Sequence, residues 1–139
     1  MDFYEFRTRQ DVRVAEDIER LAFDVIGAAI EVHRVLGPGL PESHYRNALC
    51  HELTLRGIPY KMEEPFKVRY KGVCVGTGQL DILVADRLIL ELKATEGPTD
   101  VHLAHALTYL VSMELPLALL INFNVRFVRD GIRRVLNTP

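Results

Sequence analysis

The spacing of apolar residues predicts two helices in the first part of the chain. From residue 17 to residue 36, apolar side chains fall at positions 18, 21, 22, 25, 29, 32 and 36, which is one face of a helix with 3.6 residues per turn. The segment Gly37-Pro38-Gly39 predicts the end of this helix, because glycine caps helices and proline cannot continue them. Pro41 suits the first turn of a second helix that ends near Gly57. The apolar face of this second helix consists of Tyr45, Ala48, Leu49 and Leu53.

Beyond residue 58 the pattern predicts strands and one further helix. Three segments look like strands separated by turns, "PFKVRYKG" (65–72), "GQLDILVA" (78–85) and "RLILELKA" (87–94). Thr99 or Asp100 can cap a third helix that runs to about Glu114. The segment "PLALLINF" predicts a buried strand, and Asp130-Gly131 in "VRFVRDGIRRVL" predicts the turn of a closing hairpin at the sheet edge.

This order of elements predicts one α/β domain over residues 16–139, preceded by an N-terminal arm over residues 1–15. The step from strand to helix to strand implies a parallel crossover, so the central sheet is expected to be mixed. Helices before and after the three strands can cover both faces of the sheet. We therefore expect a three-layer α/β/α sandwich.

Composition is that of an ordinary globular protein, with 139 residues, 48% hydrophobic and 26% charged. The two cysteines, Cys50 and Cys74, form no zinc-type pair and no disulfide framework. The first residues contain no apolar signal segment, and no stretch reaches the ~18 apolar residues of a membrane span. These features predict a cytoplasmic protein without a membrane partner.

The charge balance counts against a nucleic-acid binder. The formal net charge is −2, from 17 basic and 19 acidic residues, whereas nucleic-acid-binding domains are commonly basic. A bound divalent metal would add positive charge, and Arg126–Arg134 holds four arginines against one aspartate. An ordinary solvated hairpin explains the same arginines equally simply.

Charged residues within an apolar strand form the candidate site. Glu91 and Lys93 share one face of their strand, because successive side chains alternate between faces. Whether Asp81 in the preceding strand joins them depends on the turn between the strands. A two-residue turn would separate the two carboxylates, whereas a three-residue turn, Ala85–Arg87, would place Asp81 opposite Glu91. We predict the three-residue turn, since it also gives one continuous apolar face.

Two carboxylates facing each other repel unless a positive charge lies between them. Mg²⁺ or Mn²⁺ suits this position, because both take hard oxygen ligands together with water and phosphate. Such an ion would activate water for hydrolysis, and Lys93 could orient that water or stabilise phosphate charge. A solvated strand end is the simpler alternative for Glu91 and Lys93. Glu42 projects from the buried face of the second helix as a fourth member of this charged group, or serves only as an acidic residue at a helix N-terminus.

Two motifs resemble known families. "GLPESHY" (39–45) resembles the Gly-x-x-Glu-x-x-Tyr motif of the small GxxExxY family, and "LDILVADRLILELKA" resembles the Asp…Glu-x-Lys core of PD-(D/E)xK nucleases. The resemblance implies a restriction-endonuclease-like fold with Asp81, Glu91 and Lys93 as catalytic residues and Glu42 as another acidic metal contact. His105 stands where that superfamily commonly has glutamine, and it either assists at phosphate or packs against Tyr109. Tyr45 holds Glu42, lines the cleft or, as we prefer, is a core aromatic.

The sequence therefore predicts a Mg²⁺- or Mn²⁺-dependent nuclease whose substrate is nucleic acid, with DNA preferred. A domain this small has little surface for gripping a duplex, so a homodimer or a partner protein is expected if it cuts DNA. Two alternatives remain open at this point. One is a non-catalytic protein that keeps the fold for binding, and the other is hydrolysis of a small phosphorylated molecule at the same site.

Overall fold

The computed structural model describes residues 14–96 and 100–137, so the predicted arm lies almost entirely outside the described residues. Within these residues the chain forms three α-helices, five strands and a short 3₁₀ helix. In chain order the α-helices and strands are α1 (Glu16–Leu36), α2 (Glu42–Leu55), β1 (Tyr60–Tyr70), β2 (Val73–Val84), β3 (Leu88–Lys93), α3 (Asp100–Met113), β4 (Leu117–Asn122) and β5 (Ile132–Leu136). The predicted cap at Thr99 also falls outside the described residues.

The five strands form one mixed sheet in the order β1-β2-β3-β4-β5. All neighbouring pairs are antiparallel except β3 and β4, which are parallel and are joined through α3. Apolar residues of α1 and α2 pack on one face of the sheet, and those of α3 pack on the other. The predicted three-layer α/β/α sandwich is confirmed.

Helix α1 forms where the apolar period predicts it, and acidic residues lie in its first turn. Its inward face is buried against the sheet, and Glu16, Asp17 and Glu19 occupy its first turn, where acidic groups favour the positive end of the helix dipole. Gly37 ends the helix with φ +69°, and its amide donates a hydrogen bond to the His33 carbonyl at 2.8 Å.

The predicted closing hairpin is wrong. Residues Val128–Gly131 form a short 3₁₀ helix, and a single strand, β5, then pairs with β4. Gly131 is present for space rather than for a turn, because a Cβ there would lie 2.1 Å from the Asn122 carbonyl oxygen. A local turn signal was thus indistinguishable from a requirement for close tertiary approach.

The described helices include none that is both long enough and apolar enough to cross a membrane.

Cys50 is buried and Cys74 is exposed, and both are free thiols. Their state agrees with the absence of a disulfide framework in the sequence.

Candidate active site

The register between β2 and β3 brings two carboxylates together. Val84 pairs with Leu88 and Ile82 with Leu90, so the turn between the strands has three residues, as predicted. One step further along this register, Asp81 lies opposite Glu91. The strand ladder stops there, and the Leu92 amide donates its hydrogen bond to Asp81 Oδ2 at 2.8 Å.

Glu91 is a buried carboxyl group with few partners. The residue is 5% exposed, and Lys93 Nζ lies 3.4 Å from its Oε1. Its Oε2 forms no hydrogen bond within the described part of the chain. Burial, followed by the negative charge of Asp81, raises the pKa of Glu91 from 4.5 to about 8, and Lys93 opposes this increase. A buried carboxylate with a free oxygen is costly unless a cation or a proton compensates it.

Glu91→Gln should make the metal-free protein more stable at alkaline pH. Because the folded state raises the pKa of Glu91 from 4.5 to about 8, its contribution to stability is complete below pH 4.5. That contribution is lost as pH rises through about 8. Glutamine carries no charge, so we expect the variant to gain on the order of 4 kcal/mol over wild type between pH 5 and pH 8.5.

Urea unfolding in EDTA at both pH values measures this difference. Glu96→Gln, an exposed change in the segment after β3, is the control and should follow wild type. Equal pH dependence of the Glu91 variant and wild type would contradict the burial of an ionisable carboxyl group at this position.

Glu42 is the first residue of α2 and is half-buried. Burial and the charge of Asp81 raise the pKa of Glu42, while Lys93 and Arg46 lower it. These electrostatic contacts place Glu42 beside the Asp81–Glu91 pair. The same position is also a helix N-terminus, so the dipole contribution and the site contribution coexist at Glu42.

Tyr45 anchors the start of α2, where Glu42 lies. Its ring is fully buried and stacks on Phe123 at 4.6 Å between centroids. Its hydroxyl donates to the Gly37 carbonyl at 2.6 Å and accepts from the Leu40 amide at 3.1 Å. The prediction of a core aromatic is confirmed, and the Tyr45 hydroxyl holds the loop before α2 rather than the Glu42 carboxyl.

Helix α3 brings aromatic and imidazole groups to the site. His105 is exposed, and its ring lies 6.5 Å from that of Tyr109 between centroids, so it is beside Tyr109 but is not buried. Burial, with the charges of Glu91 and Asp81, raises the pKa of Tyr109 to about 12. Burial and the positive charge of Lys93 lower the pKa of His102. Tyr109 therefore lies near the two carboxylates, whereas His102 lies near Lys93.

Sequence reasoning did not assign Tyr109 and His102 to the site. Positions 102, 105 and 109 follow helical spacing, and this pattern could have indicated a common edge of α3.

Sequence reasoning also did not single out Asn122, which is fully buried at the end of β4. The Asn122 side chain donates to the Thr95 carbonyl at 2.9 Å and accepts from the Thr95 amide at 3.2 Å. Asn122 thereby ties the chain that leaves β3 to the end of β4, next to Lys93.

The acidic residues do not form a complete metal cage. Within residues 14–96 and 100–137, no group of three or more His, Cys, Asp or Glu side chains is arranged to hold a metal ion. The predicted set of Asp81, Glu91 and Glu42 is therefore close but not convergent. The donors nevertheless fit a hard divalent cation, because Mg²⁺ takes one or two carboxylates and fills its other positions with water and phosphate. The buried, unbonded Glu91 Oε2 is the oxygen best placed for such a contact.

A comparison with protein families agrees with this geometry. The family model described as PD-(D/E)XK nuclease superfamily matches residues 19–135, which include every predicted site residue. No curated protein matches the chain. Nucleases of this superfamily generally use divalent metals, and the five-stranded mixed sheet with helices on both faces is their restriction-endonuclease-like fold. The chain belongs to the PD-(D/E)XK nuclease superfamily.

Proposed function

We propose that this chain is a Mg²⁺- or Mn²⁺-dependent nuclease that hydrolyses phosphodiester bonds of nucleic acid, preferably DNA. The observation that carries the proposal is the position of Asp81 opposite the buried Glu91 carboxyl, with Lys93 Nζ 3.4 Å from Glu91. A site that only stabilised the fold would gain little from this arrangement, because an uncompensated buried carboxylate costs free energy. The "GLPESHY" segment supports a finer assignment to the GxxExxY family.

Asp81 and Glu91 are the residues that would hold the metal, with Glu42 as an outer acidic contact. When bound, such an ion lowers the pKa of a water molecule and stabilises charge on the phosphate. Asp81 is fixed for this role by its hydrogen bond from the Leu92 amide. Since metal binding requires the carboxylate form, loss of the Glu91 proton accompanies it.

Lys93 supplies the positive charge that belongs to the chain itself. Its ammonium group balances the carboxylates in the resting site and can donate hydrogen bonds to a phosphate oxygen or to the attacking water. A tyrosine phenol is protonated at neutral pH, and burial with the nearby carboxylates raises the pKa of Tyr109 further, to about 12, so its phenol remains a hydrogen-bond donor in alkaline solution as well. His105, exposed beside Tyr109, would contribute a weaker contact to phosphate at the rim.

A cleavage panel tests this proposal. Labelled single-stranded and double-stranded DNA and RNA are incubated with Mg²⁺ or Mn²⁺, beside an EDTA control and a Lys93→Ala preparation. We expect cleavage of at least one substrate with metal, none in EDTA, and a loss of roughly 10²-fold or more in Lys93→Ala. Cleavage that persists in the variant would indicate a contaminant, and an uncut panel would contradict nuclease function.

A non-catalytic binding protein is the second candidate. The observation in its favour is that no three potential ligands converge among the described residues. Calorimetric titration of Mn²⁺ separates the two candidates, since a binding-only protein would give no heat of metal binding. Hydrolysis of a small phosphorylated molecule has no separate support in the geometry.

A further inference from the structure

The outer part of the β1–β2 hairpin, residues 65–80, extends beyond the rest of the sheet, and we call it the ribbon. Its strands stay paired from Glu64–Leu80 to Tyr70–Val73. Lys71 and Gly72 form the two-residue turn with φ of 48° and 84°, as hairpins with right-handed twist require. Every residue from Arg69 to Thr77 is exposed. A two-stranded ribbon gains little stability on its own in water, so the exposed outer part, Arg69–Thr77, is suited to contact a partner.

The ribbon begins at the catalytic edge of the sheet. Glu63 has a left-handed backbone, φ 52°, and makes no ladder pair with Asp81, although the pairs on both sides of it form. At this break the side chains of the hairpin exchange faces of the sheet. Ile82 packs in the layer of α1 and α2, whereas Leu80 and Phe66 pack in the layer of α3. Asp81 therefore marks the point where the ribbon leaves the sheet.

Charge identifies the class of partner. The ribbon contains Lys67, Arg69 and Lys71 and no acidic residue. None of these three cations forms an ion pair with a described acidic side chain, and Lys71 only contacts the ring of Tyr70. In a chain with a formal net charge of −2, this is a local concentration of positive charge beside a site for phosphodiester hydrolysis. Two such ribbons would repel each other, which disfavours a second copy of the chain as the partner.

The arginines near the C-terminus do not provide an equivalent surface. Arg134 is paired with Glu19 through two hydrogen bonds. Arg133 donates to the carbonyl groups of Asp130 and Ile132. Two of the four cations in that segment are thus already used within the fold, whereas all three on the ribbon are available.

The shape of the ribbon selects duplex DNA. A two-stranded ribbon fits the major groove of B-DNA, whereas the major groove of A-form RNA is too deep and narrow for side chains to read. At roughly 3.3 Å per residue, Val73 lies ~26 Å from Asp81 along β2, a length of about eight base pairs. Gly76 would allow DNA to approach the backbone closely. A Cβ there would meet nothing within 4 Å, and the φ of Gly76 is not positive. Neither packing nor backbone conformation within the chain requires a glycine at that position.

We propose that the ribbon lies in the major groove of double-stranded DNA and holds the duplex against the Asp81–Glu91 site. Lys67, Arg69 and Lys71 neutralise backbone phosphates, and the uncharged strand Val73–Gly78 faces the groove floor. This proposal rests on the proposed nuclease function, since it takes nucleic acid as the ligand. Phosphate contacts of this kind release counterions, so the affinity must depend on salt concentration.

The test compares two triple variants by fluorescence anisotropy with a labelled DNA duplex of about 24 base pairs in EDTA. Lys67→Ala/Arg69→Ala/Lys71→Ala should bind roughly 10- to 100-fold more weakly than wild type at about 0.1 M salt. The slope of log affinity against log salt should become shallower by about 2 to 3. The control, Arg20→Ala/Lys61→Ala/Arg87→Ala, removes the same charge near the opposite end of the sheet and should bind as wild type. Circular dichroism confirms folding of both variants.

Three outcomes would overturn the ribbon proposal. They are wild-type affinity in the ribbon variant, an equal loss in the control, and equally tight ribbon-dependent binding of an RNA duplex of the same sequence. If Val73→Ser/Val75→Ser abolishes a dimer while the ribbon variant still binds DNA, the ribbon is instead an interface between copies. Ribbon-dependent DNA binding without cleavage in Mg²⁺ or Mn²⁺ would refute the nuclease proposal and leave the ribbon proposal standing.

Discussion

Replacing Asp81 by asparagine should abolish metal-dependent cleavage, with a loss of roughly 10³-fold or more in the single-turnover rate. Asparagine keeps a side-chain oxygen that can accept the hydrogen bond from the Leu92 amide, so the local structure is expected to persist. The negative charge opposite Glu91 disappears, and with it one of the two carboxylates that would hold the metal. Because the charge of Asp81 raises the pKa of Glu91, the metal-free variant should be at least as stable as wild type at neutral pH.

Asp86→Asn is the matched control for this experiment. Asp86 lies in the exposed turn between β2 and β3 and pairs with Lys61 at 2.9 Å. It has φ 56°, a conformation that asparagine tolerates. This control makes the same chemical change in the same hairpin and should retain full cleavage and full heat of Mn²⁺ binding. Wild-type cleavage by Asp81→Asn, or equal losses in both variants, would remove Asp81 from the site.

Gly131→Ala should destabilise the fold by about 3 kcal/mol, near the upper end of the usual cost of overpacking. The added Cβ would lie 2.1 Å from the Asn122 carbonyl oxygen and 3.2 Å from Val125 Cγ2. The first of these is a backbone atom, and the pairing of Asn122 with Lys93 of β3 restrains it from moving away. Because Asn122 pairs with Lys93 in the parallel ladder, any relief of the clash also shifts Lys93, the proposed catalytic lysine. Cleavage should therefore fall together with stability.

Gly76→Ala serves as the glycine control. A Cβ at this exposed strand position meets nothing within 4 Å, so its free energy of unfolding should equal that of wild type or exceed it by up to ~1 kcal/mol. Urea unfolding of both variants measures the difference. If Gly131→Ala unfolds at the wild-type midpoint, the close approach of the 3₁₀ segment to Asn122 is not a constraint on the fold.

Local patterns predicted most of the elements because each has a clear physical signature. The apolar period of residues 17–36 gave a helix within one residue of the observed Glu16–Leu36. The continuous apolar face of Ile82, Val84 and Leu88 predicted the three-residue turn, since burial of one sheet face determines register. The same argument placed Asp81 opposite Glu91. The prediction of a closing hairpin was wrong because Asp-Gly indicates only a local turn preference. In the structure, the packing of Gly131 on Asn122 outweighs that preference.

The rest of the site depends on contacts between distant segments. Nothing in α3 alone indicates that Tyr109 lies near the carboxylates and His102 near Lys93, because that depends on how the helix lies on the sheet. The position of Glu42 depends on Tyr45 and Phe123, which stack across 78 positions of sequence. The break at Glu63, where the ribbon begins, has a left-handed backbone. Because this residue is not glycine, the sequence gives no local signal for that conformation.

By itself, the sequence determined the helices, the mixed sheet and the three-residue turn whose register brings Asp81 and Glu91 to the same face, because periodicity and burial act through near neighbours and one register. Only the tertiary structure shows that Glu91 is buried and that the described acidic residues form no complete metal cage. It also decides where the ribbon separates from the rest of the sheet. Burial, electrostatic coupling and direction are sums over residues far apart in the chain, and no local pattern records them.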